Sequence, residues 1–141
     1  MKNEKQFERT IHNLTDAVYM CDADGFLTLY NKAAADLWGR EPEVGKELYS
    51  GALKLADING NDLALENYPV VITLKEHKPV HGAAVMIKRQ DGNCRQAMQY
   101  SSPTFDVLGN LTGVIVREVE VIREIDQFEI NNKVQTPTLF G

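Results

Sequence analysis

Residues 80–121 constrain the fold most. Three β-prone segments, VHGAAVMIKRQ, NCRQAMQYSSPTF and LTGVIVREVEV, follow one another, separated at Asp91-Gly92 and at Gly109-Asn110, the end of the short stretch DVLGN. Gly beside Asp or Asn allows the positive φ that tight hairpin turns need, so the segments are expected to pair as consecutive antiparallel strands. The same punctuation recurs upstream. Residues 17–22 and 26–30 flank Asp24-Gly25, which reads as a two-residue type I′ turn with positive φ at both central positions. Five strands in two blocks are therefore expected.

Helical signals fill the gap between the blocks. Asn31 is suited to cap a helix over KAAADLW, whose alanines favour that state. Glu41-Pro42 and Gly45 interrupt the chain, ELYSGALKL is expected to hold a short helical turn, and DINGND is a loop. LENYPVVITLKEHKP gives the most regular helix. Pro69 sits in its first turn, where a missing N–H costs nothing, and Tyr68, Val71, Ile72 and Lys75 share a face. Phe7, Ile11 and Leu14 recur at i, i+4, i+7 and mark a short N-terminal helix. The expectation is α+β: a five-stranded antiparallel sheet with short helices on one face and an N-terminal helix. The chain divides into that helix (1–15), one domain (16–123) and a C-terminal tail (124–141) ending in NNKVQTPTLFG.

The last strand carries information about partners. Val119 and Val121 alternate with Glu118 and Glu120, the pattern of one wet face, whereas Val114, Ile115 and Val116 form an apolar run covered on both faces. One helical layer covers only one face. The other is expected to meet the N-terminal helix, a second copy of the chain, or both, with Phe7, Ile11, Leu14, Val114 and Val116 as the homodimer contacts.

Charge and composition exclude several classes. Twenty acidic residues against fifteen basic ones, net −5, leave no basic surface for nucleic acid or an anionic membrane. The start, MKNEKQFERTIHN, has no apolar leader run, and no later run approaches the ~18 apolar residues of a membrane span. A cytoplasmic location is expected, and the Asn-Leu-Thr sequons at Asn13 and Asn110 then carry no sugar. Cys21 and Cys94 lack CxxC spacing and His companions, so neither a disulfide framework nor a zinc site is indicated.

Three clusters in order resemble the PAS domain, a sensory module of bacterial histidine kinases and related signalling proteins. They are DADGFLTLYNKAAADLWG, GNDLALENYPVVITLKEHKPV and IKRQDGNCRQAMQYSSPTFDVLGNLTGVI, and the likeness spans residues 7–124. It implies a module that binds a small ligand or a protein partner and regulates a histidine kinase or other output, fused or met in trans. It also implies an apolar pocket between sheet and helices, with Trp38, Leu48, Tyr68, Val71, Ile72, Val85, Ile87, Met98, Tyr100 and Ile115 as candidate lining. Each of these also fits plain core packing. One departure concerns output: many PAS sensors end their last strand with Asp-Ile-Thr, where Glu118-Val119-Glu120 stand here.

Cofactors enter only through that resemblance. Asn93-Cys94-Arg95 is similar to the photoactive motif of LOV flavoproteins, but Cys94 follows a turn and opens a strand. At the matching segment, GREPEVGKELYSG, Leu48 occupies the thiol's place, and a leucine cannot add to flavin. Haem-binding relatives take an axial His from the long helix; His77, in the loop after it, is the one candidate. DINGND lacks the glycine and distal Glu register of a calcium loop. Ser101-Ser102-Pro103 lacks the strained elbow of a serine nucleophile, and no catalytic constellation assembles. The rival is a cone-shaped α+β enzyme of the ketosteroid-isomerase type, with Asp22 or Asp24 as base and Tyr19 or Tyr30 as oxyanion donor. Its longer helices precede the sheet, whereas here a hairpin comes first.

Overall fold

The computed structural model describes residues 16–122, together with Gln6, Arg9 and Thr10. Phe7, Ile11, Leu14 and the tail lie outside the described residues. Six strands form one antiparallel sheet: β1 (Ala17–Asp22), β2 (Leu27–Tyr30), β3 (Lys54–Ala56), β4 (Val80–Lys88), β5 (Cys94–Phe105) and β6 (Leu111–Glu120), in the order β2-β1-β6-β5-β4-β3. The last strand in the chain thus lies at the centre, with β1 on one side and β5 on the other. Two helices cover one face, α1 (Lys32–Trp38) and α2 (Pro69–Glu76), the second entered by a 3-10 turn at Leu65–Asn67. No described helix is long and apolar enough to cross a membrane.

The sixth strand corrects the helical turn expected in ELYSGALKL. Lys54, Leu55 and Ala56 pair with Lys88, Ile87 and Met86. Pairing covers the outer edge of β4 and sinks Leu55 and Ala56 into the interior, gains that outweigh the local preference of a short segment.

The hairpins stand where Asp-Gly and Gly-Asn mark them, but their turns differ from the expected type I′. At Asp22 the N–H donates to Phe26 O (2.9 Å), Gly25 N–H donates to Asp22 O (3.0 Å), and Gly25 alone has positive φ, 95°. This is the three-residue loop closed by a left-handed glycine. The cause is the aspartate that opens it: Asp22 Oδ1 accepts from the N–H of Asp24 and of Phe26. Asp57 and Asp106 do the same at their own loops.

Helix α1 is fixed at both ends. Asn31 Oδ1 accepts from Ala34 N–H (2.9 Å) and also from Val18 N–H in β1 (3.0 Å). Gly39, at φ 72°, ends the helix, and Arg89 Nη1 donates to the last carbonyls, Asp36 O and Leu37 O. Helix α2 is rotated from the expected face. Pro69, Val70 and Thr73 are its buried residues, while Val71 and Ile72 are half-buried. Between helices and sheet lies the core, built on Trp38, Tyr19, Leu27, Leu55, Val70, Val85, Ile87, Val114 and Val116.

Candidate functional site

Along β6 the inward positions are Val114, Val116 and then Glu118, so the sheet aims a carboxylate at the core. Glu118 is only 1% exposed. Its Oε1 accepts from Trp38 Nε1 of α1 at 2.9 Å, and its Oε2 accepts from Gln99 Nε2 of β5 at 2.8 Å. Gln99 stands opposite Glu118 in the β5–β6 register. Burial pushes the Glu118 carboxyl up to about 6, and the two donated hydrogen bonds only partly offset it.

The indole is held from several sides. Tyr19 meets it edge-on with centroids 5.3 Å apart, and Tyr30 lies tilted at 5.7 Å. Gly51 lies so close to the same ring that a Cβ there would collide with it. Tyr19 donates its hydroxyl to Tyr49 O (2.9 Å) and is held well above its usual pKa, chiefly by burial and next by the charge of Glu118.

Three buried oxygens nearby find no protein partner among the described residues: Gln99 Oε1, Ser101 Oγ and Thr73 Oγ1. Gln99 and Ser101 are both on the inner face of β5, and Thr73 is on the buried side of α2, which packs across β5. Buried polar atoms are normally satisfied, so each of these oxygens calls for a donor that the described side chains do not supply. A cleft of about 380 Å³ lies beside α1 and reaches Glu118; it is lined by Asp16, Ala17, Ala33, Asp36, Leu37, Arg95, Glu118, Val119 and Glu120. A larger groove, about 890 Å³, runs outside along β2 and α1. Its basic groups are engaged, Lys32 with Asp36, Arg40 with Glu47 and Arg89 with the end of α1, so we place the site at Glu118 instead.

The sequence-derived lining residues divide. Trp38, Tyr68, Val85 and Ile87 are buried in the core, and Val71 packs against it. Ile72 is half-buried, and Leu48 is 45% exposed in a loop bridged to Phe26. Met98, Tyr100 and Ile115 fall on the outer face, because Ala97, Gln99 and Ser101 and Val114 and Val116 take the inner one. Arg117 lies over the Tyr100 ring on that outer side, 4.4 Å from its centroid. Val114 and Val116, expected on the outer dimer face, are instead fully buried under the helices. The reason is phase: strand side chains alternate, so placing Glu118 inside places Val116 and Val114 inside too.

The remaining candidates sit apart from the site. Cys94 is an exposed strand residue paired with Lys88, and Cys21 is buried, its thiol pushed up to about 12 by that burial. His77 ends α2 at φ 58°, exposed and edge-on to Phe105. Asp22 Oδ1 holds turn amides while the Tyr19 hydroxyl is bonded in the interior, so the isomerase pairing does not form. Among the described residues no group of three His, Cys, Asp or Glu is placed to hold a metal. Glu118, Gln99, Ser101 and Thr73 were not foreseen. Their one visible signal is β5 itself, where polar Gln99 and Ser101 alternate with apolar Met98 and Tyr100.

Comparison with known proteins follows the same lines. A family model described as PAS fold matches residues 5–117. Comparison with curated proteins gives no match. Among solved structures, the PAS domain of Bordetella pertussis BvgS is similar at 16% identity, covering 94% of this chain and 97% of that one, with TM-score 0.58. A PAS domain from Colwellia psychrerythraea is 16% identical over 84% of this chain and 97% of its own, TM-score 0.59. The Rhodobacter sphaeroides LOV protein is 15% identical over 87% and 70%, TM-score 0.64. With the family model spanning most of its length, and the sheet order and helical layer in agreement, the chain belongs to the PAS family.

Proposed function

We propose that this chain is a cytoplasmic sensory module of signal transduction. It binds a small ligand at the Glu118 site, works as a homodimer, and regulates a histidine kinase or other signalling output, fused to it or met in trans. The observation that carries the reading is the buried carboxylate on β6, hydrogen-bonded to α1 through Trp38 and to β5 through Gln99, whose own amide oxygen has no partner among the described residues. A ligand there touches at once the helical layer and the central strand. Occupancy then biases two packings of α1 against β6, by no more than the ligand's differential affinity for them. Leu48 in the thiol's place, and His77 on the surface, favour neither flavin-adduct nor haem chemistry.

The test is an absorption spectrum of freshly purified protein across the near-ultraviolet and visible, with native and denaturing mass spectrometry of what is released. A colourless protein that carries or takes up a small molecule is expected. A Soret or flavin spectrum overturns the small-ligand reading in favour of a redox or gas sensor.

A further inference from the structure

Glu118 is a buried carboxylate held by few bonds. It accepts from Trp38 Nε1–H of α1 at 2.9 Å and from Gln99 Nε2–H of β5 at 2.8 Å. An ionised carboxylate has room for about four donors, and in an interior it is ordinarily paired. Among the described residues no basic side chain pairs with Glu118. The charged groups around it are engaged with one another. Arg95 of β5 is 2.9 Å from Glu120 of β6, Lys32 is 2.9 Å from Asp36 of α1, and Arg117 is 3.5 Å from Asp16 before β1. From β1, the Tyr19 hydroxyl donates to Tyr49 O and is held well above its usual pKa, chiefly by burial. The buried residues of α2, Pro69, Val70 and Thr73, carry no titratable group. The charge on Glu118 is therefore unmatched, and two events relieve it: uptake of a proton, or entry of water.

The surroundings suit both. A proton on Oε2 makes that oxygen a donor toward Gln99, whose own Oε1 is buried without a partner and stands on the same carbon as Nε2. The neutral acid thus has an acceptor within reach of a side-chain rotation. Water comes from the other direction. The cleft of about 380 Å³ reaches Glu118, and Ala33, Asp36 and Leu37 of α1 form its wall on the helix side. At seven residues α1 is too short to persist alone and depends on its ties to the sheet. Asn31 binds its start to β1, Arg89 holds its last carbonyls, and Trp38 bonds Glu118. Of these ties, the bond to Glu118 is the one that a change of charge acts on directly.

We propose that α1 is a proton-operated latch, closed on β6 while Glu118 is neutral and opening more often on its cleft side, to admit water, when Glu118 is ionised. The proton itself is the input, so the device goes beyond the ligand reading and needs no ligand. Burial holds the carboxyl at about 6 in the closed state, and hydration in the open state returns it toward 4.5. The closed state keeps its proton over a range where the open state has lost it, so opening grows more frequent as pH rises through that range. The same spread limits the gain to roughly thirtyfold.

Hydrogen exchange of the full chain, followed by NMR from about pH 4 to about 7.5 and corrected for intrinsic rates, reads the opening. The reporters in α1 are the Trp38 indole N–H and the backbone N–H of Ala35 and Gly39. Val114 and Val116 in the central strand report global unfolding. The α1 groups are expected to exchange before those of β6, and to lose protection by roughly thirtyfold as pH rises. In Glu118→Gln, which stays neutral and keeps an oxygen for Trp38, their protection is expected to be independent of pH. Exchange of α1 only together with β6 means that there is no separate open state. Wild-type α1 protection that does not change with pH means that opening leaves Glu118 dry. Either result overturns the proposal, and both are read in the wild type, whether or not Glu118→Gln folds. A pH dependence that survives in Glu118→Gln assigns the effect to another group and overturns it too.

Discussion

At the scale of single residues, the free energy of this protein turns on Glu118. Its carboxyl titrates near 6 in the fold against 4.5 when free, because burial outweighs the bonds from Gln99 and Trp38. Between those values the folded chain holds a proton that the unfolded chain has lost. Stability therefore falls as pH rises through this window, and above it the fold carries a penalty of about 2 kcal/mol. Urea unfolding at the two ends of the window should show that difference in the wild type and lose it in Glu118→Gln. Asp62 acts with the opposite sign and lower down. Lys54 and Lys88 hold it at about 2, so its contribution is lost only as pH falls below the ordinary aspartate range. Gly51 makes a second residue-scale test. A Cβ there would stand 2.2 Å from Trp38 Cζ3, and the ring, wedged between Tyr19 and Tyr30, has nowhere to go. Gly51→Ala is expected to cost about 2 to 3 kcal/mol and to shift Trp38 emission, read by denaturation and fluorescence. Neither Glu118 nor Gly51 was legible beforehand. Alternation of Glu and Val in VREVEV fits a wet face as well as it fits an inverted one, and only the neighbouring strands decide.

At the scale of elements, the sequence was most readable where local chemistry acts alone. Asn31 as cap and Pro69 at the start of α2 stand where expected. What remained hidden was the second duty of Asn31: the same oxygen that caps α1 accepts from Val18, and its Nδ2 donates to Asp16 O (2.8 Å). A cap that also ties the helix to β1 costs more to remove than an ordinary one. Asn31→Ala is expected to destabilise by about 2 to 3 kcal/mol in urea unfolding. Asn31→Asp, which keeps the acceptor and loses the donor, should fall between. Strand β3 was missed because three residues are too short to show a period, and its pairing is dictated by β4, far along the chain. The loops were found through their glycines, but their type depends on Asp22, Asp57 and Asp106 three residues earlier.

At the scale of the whole molecule, the two faces of the sheet call for different fates. The inner face is closed by α1 and α2. Outside, Met20, Met98, Ile115 and Val119 are half-buried beside the Arg117–Tyr100 stack. The register sets Ile115 between Met20 and Ser102, at the middle of the sheet. A second copy packed on this face covers apolar surface without disturbing the helices, which is the arrangement we expect of the proposed homodimer. The alternation of β6 gives the test its contrast. Ile115→Glu places a charge on the outer face and should yield a folded monomer, with sedimentation at micromolar concentrations shifting from dimer to single chain. Val116→Glu, one residue on, places the same charge in the fully buried core and should unfold the chain instead. If wild type sediments as a monomer, the homodimer reading is wrong. If Ile115→Glu stays dimeric and folded, the copies meet elsewhere than on the outer face.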